Sequence, residues 1–215
     1  MESNYAKQAE MARELFLKYE QDEMIEKFHL EHDEDYLYLL FIGDKYRILR
    51  ETGAVEREDA DAGQYVSCSD FNVVMTIYDV LCYSKETPEL AHEWCPLHGL
   101  QITMSSPSAD KFNQKYANAF AGKIDRLQEI CRSLGGIQPE ISAGADVCWQ
   151  FNLFEFFPLQ FRFWDEDDEF PAKIQLLWDR NSLKFMHFET LYYAMGHLMN
   201  RLLALMVPES QIPHR

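Results

Sequence analysis

Five consecutive carboxylates, Asp165-Glu166-Asp167-Asp168-Glu169, stand between two alternating apolar runs. Hard oxygen donors gathered this closely are what Ca²⁺ or Mg²⁺ selects. Crowded like charges are also one way in which proteins make a general acid. The spacing is not that of an EF-hand loop, because the central Gly and the distal bidentate Glu are missing. The plain alternative is a solvated hairpin tip, where charge blocks edge-to-edge pairing, and it is the expected state of this turn. A second set is His92-Glu-Trp-Cys-Pro-Leu-His98, with His92, Cys95 and His98 at steps of three. Imidazole and thiolate are zinc donors. Pro96 biases Cys95 away from helix, and no fourth ligand stands nearby, so a surface loop pinned by Trp94 and Leu97 is expected. His29 and His32, followed by Asp33 and Asp35, fit the C-terminal end of a helix, where imidazole complements the dipole. His187, next to Glu189, is expected to cap the last helix. No P-loop, dinucleotide-binding glycine motif, G-x-S-x-G elbow or H-E-x-x-H occurs, Ser142 has no supporting context, and no cofactor is evident.

The elements that must position these residues follow from periodicity. Ala9, Ala12, Leu15, Phe16 and Tyr19 recur at helical spacing after Ser3, and Asp22 is placed to cap a short second helix. Residues 35–42 and 45–50 read as strands joined by a Gly43-Asp44 turn, with Thr52-Gly53 ending the unit. Residues 55–67, polar and charged, read as a loop. Ser69 or Asp70 caps a helix with Phe71, Val74, Met75, Tyr78, Leu81 and Cys82 on one stripe. Residues 84–110 read as irregular, with a short strand at 100–104. One helix is expected from Ala109 to Leu134, stopped by Gly135-Gly136. Three period-two runs (147–153, 159–163 and 172–178) predict an antiparallel meander with one buried face. A broad apolar helix from Phe188 to Met206 closes the chain.

Composition bounds the class. The chain has 215 residues, with 36 Asp and Glu against 20 Lys and Arg, giving a formal charge of −16. Such a charge excludes a nucleic-acid backbone or an anionic membrane as the main partner. At 47% apolar residues the chain is not intrinsically disordered. No apolar run reaches the length of a transmembrane helix, and the N-terminus has no signal-peptide core. Five widely spaced cysteines with no CxxC predict free thiols and a cytoplasmic location.

The run from Phe157 through Pro158, Trp164, Asp168, Glu169, Phe170 and Pro171, followed by Ile174-Gln-Leu-Leu-Trp-Asp179, resembles the signature of the domain of unknown function 3786, a family of anaerobic bacteria and archaea. The helix from Asp70 to Tyr83, the Gly135-Gly136 stop and the hairpin ending at Thr52-Gly53 are similar to family features, so the resemblance spans roughly residues 5–205. It carries no established reaction. It implies a link to corrinoid or one-carbon metabolism, and any iron–sulfur cluster would belong to a partner, since this chain lacks a four-cysteine segment.

The expected architecture is a single α+β domain over residues 1–215. An antiparallel sheet would combine the C-terminal meander with the N-terminal hairpin, with helices packed mainly on one face. The expected function is a cytoplasmic, non-enzymatic binding or accessory protein for a small molecule or a protein partner. Trp164, Asp165, Asp168, Glu169 and Asp179 are the candidate ligand-binding residues. The alternative is a divalent-metal-dependent enzyme using the turn 165–169. Phe170 is expected to turn inward and anchor the hairpin while Asp168 or Glu169 accepts main-chain N–H bonds. Pro171, with no N–H, suits the start of a strand.

Overall fold

The computed structural model describes residues 4–100 and 109–206. Among them the elements run, in chain order, α1 (Asn4–Phe16), α2 (Gln21–Phe28), β1 (Glu31–His32), β2 (Tyr36–Phe41), β3 (Asp44–Leu49), β4 (Val55–Asp59), β5 (Gln64–Ser67), α3 (Phe71–Tyr83), β6 (Trp94–Pro96), α4 (Ala109–Phe120), α5 (Ile124–Ser133), β7 (Val147–Phe154), β8 (Phe157–Trp164), β9 (Lys173–Asp179) and α6 (Phe188–Met206). The class is α+β with antiparallel sheets, as expected. The hairpin and the meander, however, belong to two sheets rather than one: β1-β2-β3-β4-β5 and β6-β9-β8-β7. The chain forms two compact units that interleave along the sequence. One comprises Met1–Glu89, Leu153–Phe156 and Asn181–His197; the other comprises Leu90–Asn152, Phe157–Arg180 and Leu198–Arg215.

The first unit is built on the five-stranded meander. In β2 the alternation Tyr-Leu-Tyr-Leu-Leu-Phe buries Leu37, Leu39 and Phe41 and leaves Tyr36 and Tyr38 on the other face. The β2–β3 turn falls on Ile42-Gly43, one residue earlier than expected, with φ of 50° and 79°. A two-residue hairpin turn of this kind needs positive φ at both positions. Positive φ is costly for a β-branched residue; Ile42 occupies it with its side chain 1% exposed and its N–H donating to Leu153 O at 2.9 Å. Residues 55–67 form the hairpin β4–β5 rather than a loop. Its alternation is disguised by charges that pair across strands. The Arg47 guanidinium bonds Glu56 at 2.6 Å and lies 4.0 Å and 4.1 Å from the Tyr36 and Tyr65 rings.

Asp70 caps α3, accepting from the Asn72 and Val73 N–H groups, as its position implied. Asp22 does not cap α2. It lies in the first turn and pairs with Arg50 at 2.8 Å, while the cap position is Glu20 without a side-chain bond. The Ser3 cap lies outside the described residues. So does the strand expected over 100–104, apart from Leu100, which the structure places just after a 3-10 turn at Leu97–Gly99.

The second unit packs α4 on the β6-β9-β8-β7 sheet. The single helix expected from Ala109 to Leu134 is two. Gly122, at φ 69°, breaks it after Phe120, a conformation that glycine alone adopts without strain. Four consecutive residues of β9, Leu176, Leu177, Trp178 and Asp179, are all buried. One-sided alternation therefore gives way to burial on both faces over part of the meander. β6 covers the edge of β9 with the pairs Trp94↔Asp179, Cys95↔Trp178 and Pro96↔Leu177. Phe157, Phe161, Phe163 and Trp178 are fully enclosed in this core.

Candidate functional site

The acidic turn leaves β8 at Trp164 and re-enters the sheet at Lys173, a pair that closes the β8–β9 register. Within the second unit it forms one wall of a cleft of about 670 Å³. Its apolar surface comes from Trp164, Phe170, Pro171, Ala172 and Ile174, and its charged groups are Asp146, Asp165, Asp167 and Lys173. Asn113 and Gln114 face it from α4, and Gly144 from the loop before β7. A mostly apolar concavity with a few convergent polar groups is the usual form of a small-ligand site.

Main-chain donors hold the carboxylates in place. Asp165 Oδ1 accepts from the N–H groups of Gly122 and Glu166, each at 2.9 Å. Asp146 Oδ2 accepts from the Asp165 N–H at 2.8 Å. Asp167 Oδ1 accepts from the N–H groups of Glu169 and Phe170, at 2.8 and 2.7 Å. The turn is thus folded around Asp167, a local side-chain-to-main-chain pattern favoured by Asp. The residue expected in that role was Asp168 or Glu169. The expectation for Phe170 is also overturned. Its ring is 66% exposed, because the Asp167 turn closes through main-chain bonds and needs no apolar anchor.

Of the sequence candidates, Trp164 and Asp165 line the cleft. Asp168 and Glu169 are exposed at the tip. Asp179 is at the opposite end of the seven-residue β9, about 20 Å along the strand by its rise. There its carboxylate is 2% exposed and accepts the Ala91 and His92 N–H groups at 2.8 and 2.7 Å, which pins the strand-entry loop. His92 is exposed at φ 57°, Cys95 is buried in β6 and His98 is exposed in the 3-10 turn. Among the described residues no group of three or more His, Cys, Asp and Glu side chains is placed to hold a metal ion.

Sequence reasoning missed Asn113 and Asp146 in the cleft, and within the acidic turn it singled out Asp165, Asp168 and Glu169 rather than Asp167. Asn113 is 5% exposed, and its buried Oδ1 has no hydrogen-bond partner among the described residues. A buried polar residue in an otherwise apolar helix stripe was the available signal. In the first unit, Asp79 of α3 and His187 also come together, with Oδ1 and Nδ1 2.7 Å apart. His187 caps no helix with its side chain. Its main-chain oxygen instead accepts the Thr190 N–H at 3.1 Å. All five cysteines are free. Burial pushes their thiols up, Cys82 to about 12, so none is poised as a nucleophile.

The chain is an α+β protein with a cleft on its four-stranded sheet. It belongs to the family described as Domain of unknown function (DUF3786), whose model matches residues 20–201. No curated protein and no solved structure matches it. Among the described residues no helix is long and apolar enough to cross a membrane.

Proposed function

We propose that this protein is a cytoplasmic, non-enzymatic binding or accessory protein whose small-molecule ligand seats in the cleft beside the acidic turn. The observation that carries this reading is the cleft itself: a concavity of about 670 Å³ walled mainly by Trp164, Phe170, Pro171 and Ile174, with Asp146, Asp165, Asp167 and Lys173 converging on it. The turn fixed by Asp167 supports the same reading, since it presents Trp164 and Phe170 on a rigid frame rather than on a loose loop. Five free thiols fit a reducing compartment. The setting in anaerobic corrinoid or one-carbon metabolism is the one that the family resemblance implies.

The test is a fragment library containing cationic, neutral and anionic compounds, followed by ¹H–¹⁵N correlation spectra of the full chain. Binding at the cleft moves the amides of residues 113–114, 144–146 and 164–174 together. Perturbations confined to other surfaces, or none with any compound, would overturn the reading.

A further inference from the structure

Thirteen residues form α1, and of these only Phe16, at the C-terminal end, is buried. Ala6, Ala9, Arg13 and Phe16 recur at steps of three and four, so one stripe of the helix faces the body of the first unit. The stripe is anchored at one end. The Arg13 guanidinium donates to the Thr52 carbonyl oxygen, and the Phe16 ring packs on Tyr78 at 5.7 Å between centroids. Both approach Gly53 so closely that a Cβ there would stand 3.0 Å from Arg13 Cγ and 3.2 Å from the Phe16 ring. At the other end the stripe offers the methyl groups of Ala6 and Ala9. These leave a cavity of about 410 Å³ against Val55, Cys68, Phe71 and Val74. Tyr5 meets the Phe71 ring edge-on at 4.9 Å but is itself 64% exposed. The first turn, Asn4-Tyr-Ala-Lys7, has no acidic residue, and its Lys7 opposes the helix dipole. So short a helical segment does not hold its shape in water without packing.

We infer that residues 4–12 of α1 are a lid: they open while Arg13 and Phe16 stay seated, and they set access to the cavity beneath them. Opening withdraws no fully buried side chain, which places it at the low end of local unfolding free energies. It uncovers the apolar side chains of Val55, Phe71 and Val74 together with the thiol of Cys68. Cys68 is half-buried, whereas Cys82, Cys95, Cys131 and Cys148 are buried, so its thiol reports the lid. This cavity belongs to the first unit and the cleft beside the acidic turn to the second, so the lid stands whether or not that cleft binds a ligand.

The test labels the native full chain with a dilute maleimide and follows each cysteine by peptide mass. When closing outruns labelling, the rate at Cys68 tracks the population of the open lid. Cys68 is expected to react well before the four buried cysteines. Lys7 and Gln8 are exposed, so changes there act on the helix and not on a buried contact. Lys7→Gly with Gln8→Gly lowers helix propensity and should speed Cys68 labelling about tenfold. Lys7→Glu places a carboxylate in the first turn and should slow it about two- to fivefold. Neither variant should move the urea midpoint followed by far-UV circular dichroism. Equal Cys68 rates in all three proteins would mean that the cavity is open without α1, and would overturn the lid. So would labelling of Cys68 only in step with Cys82 and Cys131, or a urea midpoint that falls as labelling speeds up, since α1 would then open only with the whole unit.

Discussion

Asp79 holds His187 at two points: its Oδ1 lies 2.7 Å from the ring Nδ1, and its Oδ2 accepts the His187 main-chain N–H at 2.8 Å. The carboxylate is buried on α3, whereas the ring is largely exposed and meets the Tyr83 ring edge-on at 4.6 Å. The contact ties α3 to the segment that leads into α6. Replacing Asp79→Ala removes both bonds and leaves the His187 N–H without its partner. The expected loss is about 2 kcal/mol in urea unfolding. His187→Ala leaves the main-chain bond in place and should cost about 1 kcal/mol or less. Equal losses for the two variants would show that the ring contact carries the link.

Asp70 predicts a pH dependence. The hydrogen bond from His197, reinforced by the His197 charge and the Val73 and Asn72 N–H groups, holds its carboxyl below the ordinary value, against the opposing effect of burial. A carboxyl depressed in the folded state contributes stability above its unfolded pKa of about 3.9. That contribution is lost as pH falls through the folded pKa. Asp70→Ala should therefore cost about 1 kcal/mol at neutral pH, the usual value of an N-cap. The gap from the wild type should shrink below about pH 4. Urea titrations across this range measure it, and an undiminished gap in acid would contradict it.

Phe170 and Phe163 separate surface from core within one hairpin. Phe170 is 66% exposed, whereas Phe163 is fully buried against Phe120 at 6.3 Å between ring centroids. Phe170→Ala should stay within about 0.5 kcal/mol of the wild type while weakening any ligand of the cleft. Phe163→Ala should cost about 3–5 kcal/mol. A large destabilisation from Phe170→Ala would mean that the ring anchors the turn after all.

Gly136 is expected to tolerate no side chain. A Cβ there would lie 2.7 Å from Cys131 O and 3.0 Å from the Trp149 ring. The first neighbour is backbone and cannot rotate away, so Gly136→Ala should destabilise by about 1–3 kcal/mol, as overpacking does. A denaturant midpoint unchanged from the wild type would refute the close approach.

The acidic turn is expected to show no specific affinity for divalent cations. Asp165 and Asp167 already accept main-chain N–H groups, and no metal-ligand group forms among the described residues. A native-state site at a hundredfold excess over Kd would add about 2.7 kcal/mol. Melts with Mg²⁺, Ca²⁺ and Mn²⁺ should therefore overlay those with EDTA at matched ionic strength. A shift of several degrees, abolished by Asp168→Asn with Glu169→Gln, would instead support the enzyme alternative.

Local pattern fixed much of the secondary structure in advance. Helical spacing and the Asp70 cap located α3, the apolar breadth of 188–206 located α6, and period-two runs located β7, β8 and β9. These signals are read by neighbours within a few residues, and so they survive in the sequence. The β4–β5 hairpin did not show. Its pattern Val-Glu-Arg-Glu-Asp has no apolar alternation to read, and its charges are matched only once β3 pairs alongside, where Arg47 bonds Glu56.

The family, the acidic turn and the aromatic residues beside it were legible in the sequence, and Trp164 and Asp165 do line the cleft. Which carboxylates count was decided only by tertiary structure. Asp167 folds the turn, Asp146 arrives from the loop before β7, and Asn113 arrives from α4. Asp179 is spent on the Ala91 and His92 N–H groups at the far end of β9. Sequence records which groups are present. Whether a carboxylate is free for a ligand or engaged by main-chain donors depends on which distant N–H groups the fold brings within about 3 Å of it.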